Sequence, residues 1–301
     1  MAQTAATNTS EFAGFLKPDQ AESYFDQAAR QSVVQSLTRR VPLGINGQEI
    51  PVVTSKPTAS WVAEGGQKPT TSGSLGLKSI APKKIAAITV VSAEVVRANP
   101  GNYVSLFRDQ IAEAFAIAFD QAALHGTNSP FGAGNNIAAT TKAVELGTAA
   151  AAAGGVYADL NGALKLLVDD SKKLTGWAFD PVVEPTLNGA VDLNGRPLFV
   201  DAVYEDTSLS GGRLLRRQAL YGEGVQNATT VGFAGDWTQA VWGAVGGITY
   251  DVSTEATVTI NNELTSLWEH NLVAIRAEAE YGWLVNDAES FAALTEGVVT
   301  P

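Results

Sequence analysis

The sequence predicts an α+β chain. Three observations carry that reading: one long stretch ending near His125 repeats apolar residues at three- and four-residue steps; short β-branched runs crowd the C-terminal third; and helices and strands mix without the βαβ rhythm of a parallel sheet. No internal repeat or heptad array is visible.

Residues 1–45 read as an N-terminal arm. The first ten are small and polar, and a short helix is expected from Lys17-Pro18, with Tyr24, Phe25 and Ala28 on one side. Residues 46–98 read as an extended β-hairpin loop. Ile50–Val53 and Ile85–Val91 are expected as its strands, joined by an insert rich in Gly, Pro, Ser and Thr. That insert is too long for an ordinary connection. Its large apolar residues, Trp61, Val62, Leu75, Leu77 and Ile80, cannot offset an ordering cost of roughly 1–2 kcal/mol per residue. A lone hairpin is marginal in water. The segment is therefore either a flexible loop or an arm that gains its order on another subunit. Five lysines (56, 68, 78, 83 and 84) against Glu64 give it a local +4. With −11 on the whole chain, the remainder carries −15, and a positive arm on a negative body favours docking between identical copies.

Residues 99–128 hold the clearest helix. Asn102 is a good N-cap, and Val104, Phe107, Ile111, Ala114, Phe115, Ala118 and Ala122 form the apolar stripe up to His125-Gly126. About 24 residues at roughly 1.5 Å each make a rod near 36 Å. Residues 127–156 read as loop. A second amphipathic helix carries Leu160, Leu164, Leu167, Val168 and Leu174 and is expected to stop at Gly176. Trp177–Phe179 is a short strand, Pro185 a helix start, and Asn194-Gly195 a turn before Arg196–Phe199. Strands are expected at 229–233, 240–245, 248–252, 257–260 and 272–279, and a turn of helix at Ser290–Leu294.

The 301 residues hold 45% hydrophobic and 17% charged side chains, which excludes wholesale disorder. A net charge of −11 argues against a protein that neutralises DNA phosphates over its whole surface. The absence of cysteine removes disulfides, thiolate metal sites and cysteine nucleophiles. No secretory signal opens the chain, and no stretch reaches the roughly 20 apolar residues of a membrane helix.

Chemical motifs are few. Gly132-Ala133-Gly134 and Gly222-Glu223-Gly224 are half-fingerprints for dinucleotides, each lacking its third glycine. The two histidines, His125 and His270, have no companions at metal-ligand spacing, and no Gly-x-Ser-x-Gly elbow exists. Asp169-Asp170 reads as a solvated helix face. No catalytic, cofactor or metal residue is assigned.

The order of short motifs is more specific. Ile50-Pro51-Val52 is followed by Ala59-Ser60-Trp61-Val62-Ala63-Glu64-Gly65, and Lys83-Lys84-Ile85-Ala86 by Ser92-Ala93-Glu94-Val95-Val96. Phe119 to Gly126, Gly195-Arg196-Pro197-Leu198, Gly235-Asp236-Trp237-Thr238, Ile275-Arg276-Ala277-Glu278 and Gly282 to Asp287 come next, with Ser290-Phe291-Ala292 after them. In that collinear order the chain resembles the major capsid proteins of tailed bacteriophages, the Hong Kong 97-like fold.

The resemblance implies a set of parts and partners. Residues 1–45 would be the N-terminal arm, 46–98 the extended loop and 99–128 the spine helix of the peripheral domain. Residues 129–250 would form the axial domain, and 251–301 peripheral strands and a C-terminal tail. Copies would close into hexamers and pentamers of an icosahedral head in the virion, assembled in the host cytoplasm around double-stranded DNA without reading its sequence. A separate scaffolding protein and a portal are expected partners, with a decoration protein as a further candidate, and no cleaved scaffolding region. The acidic body would suit an inner wall that DNA must not stick to. Trp61, Glu64, Lys68, Lys78, Lys83, Lys84, Phe12 and Phe15 are the candidate inter-subunit contacts. Lys68 or Lys78 could supply an isopeptide link, although an interfacial salt bridge is the simpler role. The runner-up is an encapsulin-type compartment on the same fold. A soluble enzyme with a mobile loop is the reading from another class.

Overall fold

A fourteen-residue strand, Leu272–Val285, is the axis around which the first sheet is built. Strands are numbered in chain order, and this one is β14. The computed structural model describes residues 32–98, 103–150, 153–191 and 211–296. Along one edge β14 pairs antiparallel with β4 (Lys83–Ser92) over ten residues. On its other edge it pairs first with β11 (Thr249–Ser253) and then with β10 (Ala240–Ala244). A two-residue strand, β1 (Arg39–Arg40), extends β10 in parallel. Alternation along β14 buries Val273, Ile275, Ala277 and Ala279 at the β4 and β11 pairings and Trp283 and Val285 at β10.

A short helix, α2 (Ala93–Ala98), follows β4, and the long helix, α3 (Tyr103–His125), lies on this sheet. Its four-residue spacing places Phe107, Ile111, Phe115 and Phe119 on one stripe, and Ile111 and Phe115 pack on Ala277 and Ala279. Phe119 continues the stripe into a ring of edge-to-face contacts with Phe131, Trp242, Tyr281 and Trp283 at 5.4–6.3 Å. The expected cap at Asn102 lies outside the described residues. So do the Lys17-Pro18 helix and the Asn194-Gly195 turn with Arg196–Phe199.

The second sheet has six strands in the order β5-β15-β9-β6-β8-β7. These are Ala143–Leu146 (β5), Phe291–Glu296 (β15), Thr230–Gly235 (β9), Gly176–Phe179 (β6), Arg217–Tyr221 (β8) and Gly211–Leu214 (β7). Helix α4 (Gly155–Asp169) covers it with Leu160, Ala163 and Leu167, and α5 (Glu184–Asn188) adds Leu187. A shared core of Val33, Val34, Phe119, Leu124, Ala178, Phe233, Trp237, Trp283 and Phe291 joins the two sheets.

Two expectations are corrected. Ser290–Leu294 is not a helical turn: a 3-10 turn at Ala288–Ser290 leads into β15, which is paired on both sides and buried at Phe291, Ala292 and Leu294. Such a short apolar run has no period to separate strand from helix, and the pairing decides it. The second helix stops at Asp169, because Ser171 turns left-handed and the Lys172 amide donates back to the Leu167 carbonyl. Leu174 is buried beyond that end, and Gly176 opens β6 where a side chain would press on Trp237 and Leu37. The two sheets interleave along the chain, β10 joining β14 in the first and β15 closing the second.

The half-fingerprint Gly222-Glu223-Gly224 is a packing device. A Cβ at Gly222 would meet Val33 at 2.4 Å, and one at Gly224 would meet Asp120 at 2.9 Å. These two glycines let the chain pass close over α1 (Val33–Leu37) and α3. His125 donates its Nε2–H to the Val225 carbonyl at 2.7 Å, and burial pushes its imidazole below the ordinary value. A neutral ring therefore ends α3, in place of the cationic one that the helix dipole alone would favour.

Asp120 fixes where the chain enters this core. Its carboxylate accepts from the Ser32 hydroxyl, the Val33 amide at 2.8 Å and the Val34 amide at 3.2 Å. Burial pushes the carboxyl up to about 7, against those three donors, which favour its charged form. A native value above the ordinary 3.8 means that the protonated form stabilises the fold. That contribution is complete below the unfolded value and is lost as pH rises toward about 7. Relative to an Asp120→Asn variant, the wild-type stability should therefore decline with rising pH, by up to about 1.4 kcal/mol per unit across that window. Urea unfolding of both proteins between about pH 5 and about pH 8 measures it, and a gap that stays flat would refute it.

Candidate assembly interface

Among the described residues, the longer of two hairpins that stand outside the two main sheets lies in the Gly- and Pro-rich insert. Strands β2 (Gln48–Ser55) and β3 (Ser74–Ile80) pair antiparallel with each other as an isolated two-stranded sheet. The expected return strand, Ile85–Val91, instead lies in β4 on β14, so the hairpin closes within the insert itself. The signal for β3 was weak because Gly76 and Lys78 interrupt its apolar run.

Its root is anchored. Ile80 is buried against Gly282, where an added Cβ would come within 3 Å of both Ile80 and Leu43. The Lys78 ammonium donates to the Asn286 carbonyl at 2.6 Å and to the Val285 carbonyl at 3.4 Å. Beyond the root nothing apolar among the described residues closes over the strands. Pro51 faces Leu77 and Val53 faces Leu75 on one side of the ladder, and Val53, Leu75 and Leu77 are all mostly exposed. Residues 56–73 are exposed throughout. Small polar links hold them: Thr58 amide to Thr71 hydroxyl at 3.1 Å, Ser55 to Ser74 hydroxyl at 2.8 Å, and a turn closed from the Gly66 amide to the Ala63 carbonyl at 2.9 Å. Trp61 is fully exposed, and its side chain rests on none of the described residues.

The candidate contacts therefore separate into two groups. Trp61, Glu64 and Lys68 sit in the outer loop. Lys78, Lys83 and Lys84 sit at the root, where Lys84 reaches Glu278 at 3.4 Å and Lys83 pairs across from Tyr281. The local positive charge is thus divided, with Lys56 and Lys68 alone carried outward on the loop. Phe12 and Phe15 lie outside the described residues.

Sequence reasoning passed over a second exposed hairpin. Strands β12 (Thr257–Ile260) and β13 (Glu263–Ser266) pair through Asn261-Asn262, both with positive φ. Val258 and Ile260 turn inward onto Leu267 and Val90, while Leu264 faces out beside Thr259. The Asn-Asn pair after a β-branched run was the available signal.

Among the described residues no cluster of histidine and carboxylate side chains could hold a metal ion, and no helix is long and apolar enough to cross a membrane. Carboxylates are used for structure. Asp159 accepts from the Gly147 and Ala149 amides, and Asp170 and Glu289 pair with Lys142. Asp170 is thus an ion-pair partner as well as part of a solvated helix face.

Comparison with known proteins fits this geometry. The sequence profile of the phage capsid family matches residues 13–295. The probable major capsid protein of Mycobacterium phage D29 is 46% identical over 305 residues, covering 99% of this chain and 95% of that one. Its counterpart in Mycobacterium phage L5 is 45% identical, covering 97% and 93%. Among solved structures, a chain of Mycobacterium phage Adephagia superposes with a TM-score of 0.75 at 18% identity, covering 99% of this chain and 100% of that one. One of Gordonia phage Cozz gives 0.74 at 21%, covering 96% and 94%. At those identities the structures speak for the fold alone.

A side chain that rests on nothing contributes nothing to the isolated fold. Trp61→Ala should leave the unassembled subunit's stability within about 0.5 kcal/mol of wild type, whereas Trp283→Ala in the shared core should cost about 3–5 kcal/mol. Chemical denaturation of both variants checks the contrast, and a large loss from Trp61→Ala would show the hairpin folded against its own body.

Proposed function

This chain belongs to the phage capsid family, and from that premise we propose how its parts build a shell. The protein is the major capsid protein of a tailed bacteriophage. Relatives at 46% and 45% identity, both named probable major capsid proteins, turn the reading away from an encapsulin-type compartment and toward a virion head. Its role is structural.

The fold is of the Hong Kong 97 type. We assign α3 and the first sheet to the peripheral domain, and the second sheet with α4 and α5 to the axial domain. Residues before α1 form the N-terminal arm, and β2–β3 with its loop forms the extended hairpin. Copies join into hexamers and pentamers, and these close into an icosahedral head around double-stranded DNA. A head-to-tail contact between unlike surfaces closes a ring when its rotation allows, which is how one chain can serve both rings. A scaffolding protein, a portal and a decoration protein are the expected partners, and assembly takes place in the host cytoplasm.

The observation that carries this reading is the hairpin. It is anchored at Ile80 and Lys78, ordered as a ladder, and apolar on a face that its own chain leaves uncovered. Covering one Leu or Val side chain fully is worth about 1.5–3 kcal/mol, so a sibling laid across Val53, Leu75 and Leu77 would supply the missing support. The same segment is where Trp61, Glu64 and Lys68 would meet a neighbour.

The test is deletion. Replacing residues 57–72 by a short Gly-Ser turn should give a subunit that folds, judged by its circular dichroism and melting, yet builds no shells by negative-stain microscopy. Shells of normal size from the deleted chain would sink the proposal.

A further inference from the structure

We propose that the surface receiving this hairpin is the acidic β12–β13 hairpin of the next copy, an inference that rests on the shell-forming reading above. Not one lysine or arginine occurs between Arg217 and Arg276, while Glu223, Asp236, Asp251, Glu255, Glu263 and Glu269 do. Within that stretch Glu255, Glu263 and Glu269 are exposed and frame β12–β13. Asp251 is already engaged by Arg276 at 2.8 Å.

The same hairpin presents large apolar groups outward. Leu264 is 80% exposed and Trp268 74% exposed. Leu264 lies on the ladder face opposite the one that Val258 and Ile260 use for packing, so its exposure is a consequence of register. Its counterpart on the extended hairpin has the opposite charge and a like apolar centre. Trp61 and Val62 sit between Lys56 and Lys68 in the sequence, with Glu64 as the acid among them. Aromatic and aliphatic anchors bordered by charges of opposite sign on the two partners match the anatomy of a specific interface.

Because Trp61 is fully exposed and Trp268 largely so, the two tips do not cover one another within one chain. The contact must run from one copy to the next, between unlike surfaces, which is the geometry that propagates around a ring. Val168, exposed on α4, offers no such match. Lys165 there is already paired to Asp169 at 2.7 Å, so its local charge is balanced.

Two experiments on the full chain decide the matter. Assembled wild-type particles, made from a mixture of isotopically light and heavy chains, are treated with a carbodiimide that joins lysine to carboxylate. Mixed-isotope links from Lys56 or Lys68 to Glu255, Glu263 or Glu269 are expected. In parallel, Lys56→Glu with Lys68→Glu should lower particle yield roughly tenfold or more, and so should Glu263→Lys with Glu269→Lys. The four changes together should restore yield to within about threefold of wild type, since each charge pair is then rebuilt in reverse. Links to acids elsewhere, such as Asp109 or Glu113 on α3, or a fourfold variant no better than its parents, would overturn the assignment. If that happens while deletion of the hairpin still blocks assembly, the receiving surface is wrong and the shell reading stands. If deletion leaves assembly intact, both fall.

Discussion

A hairpin that has no core must be held at its root, and in this chain the hold falls on one strand. β14 and the residues that follow it present Gly282 to Ile80 and the carbonyls of Val285 and Asn286 to Lys78. The same strand pairs with β4, β10 and β11 and carries the rings that pack on α3. Anything that shifts β14 therefore moves the long helix and the hairpin together. That coupling gives a projecting segment a fixed direction of departure although its outer half touches little else. A glycine at 282 belongs to the same logic, since a Cβ there would push Leu43 and Ile80 off the strand.

Charge works over a longer range. The body is acidic, while lysines gather around residues 56–84. Like-charged bodies repel at a distance, and local contacts of opposite sign select the one approach in which they meet. Each such contact is small, because exposed ion pairs contribute about 0–1 kcal/mol and are screened by salt. In the proposed shell, strength would come from repetition: a subunit that touches two neighbours is held by both contacts at once.

Much of the fold was legible in the sequence where a period had room to repeat. The stripe Phe107, Ile111, Phe115, Phe119 announced α3, and the alternation from Leu272 announced β14, although it ran six residues further than expected. What stayed hidden depended on distant partners. β5 is four residues in a segment read as loop, and it is a strand because β15 lies beside it. β15 itself read as helix for want of any period. The site was legible as a composition, a Gly- and Pro-rich insert with lysines and one tryptophan, but not as a geometry. Nothing in the sequence says that β2 closes on residues 74–80 and not on 85–91, because both are short β-prone runs. That choice is made by β14, which takes the second run for itself.

The burial of Asp120 answers a similar need to fix the backbone at one point. A carboxyl enclosed on every side is an expensive way to hold a backbone, since desolvation opposes its charge. Its advantage is geometric. Two oxygens gather the Ser32 hydroxyl and two consecutive amides, so the chain leaving the first 31 residues is fixed at a single point on α3 before it turns into α1. An apolar contact would let that point slide, whereas directed hydrogen bonds do not. Fixed points of this kind hold the chain at Asp120 where it enters α1, and at the Lys78–Ile80 root where the hairpin departs.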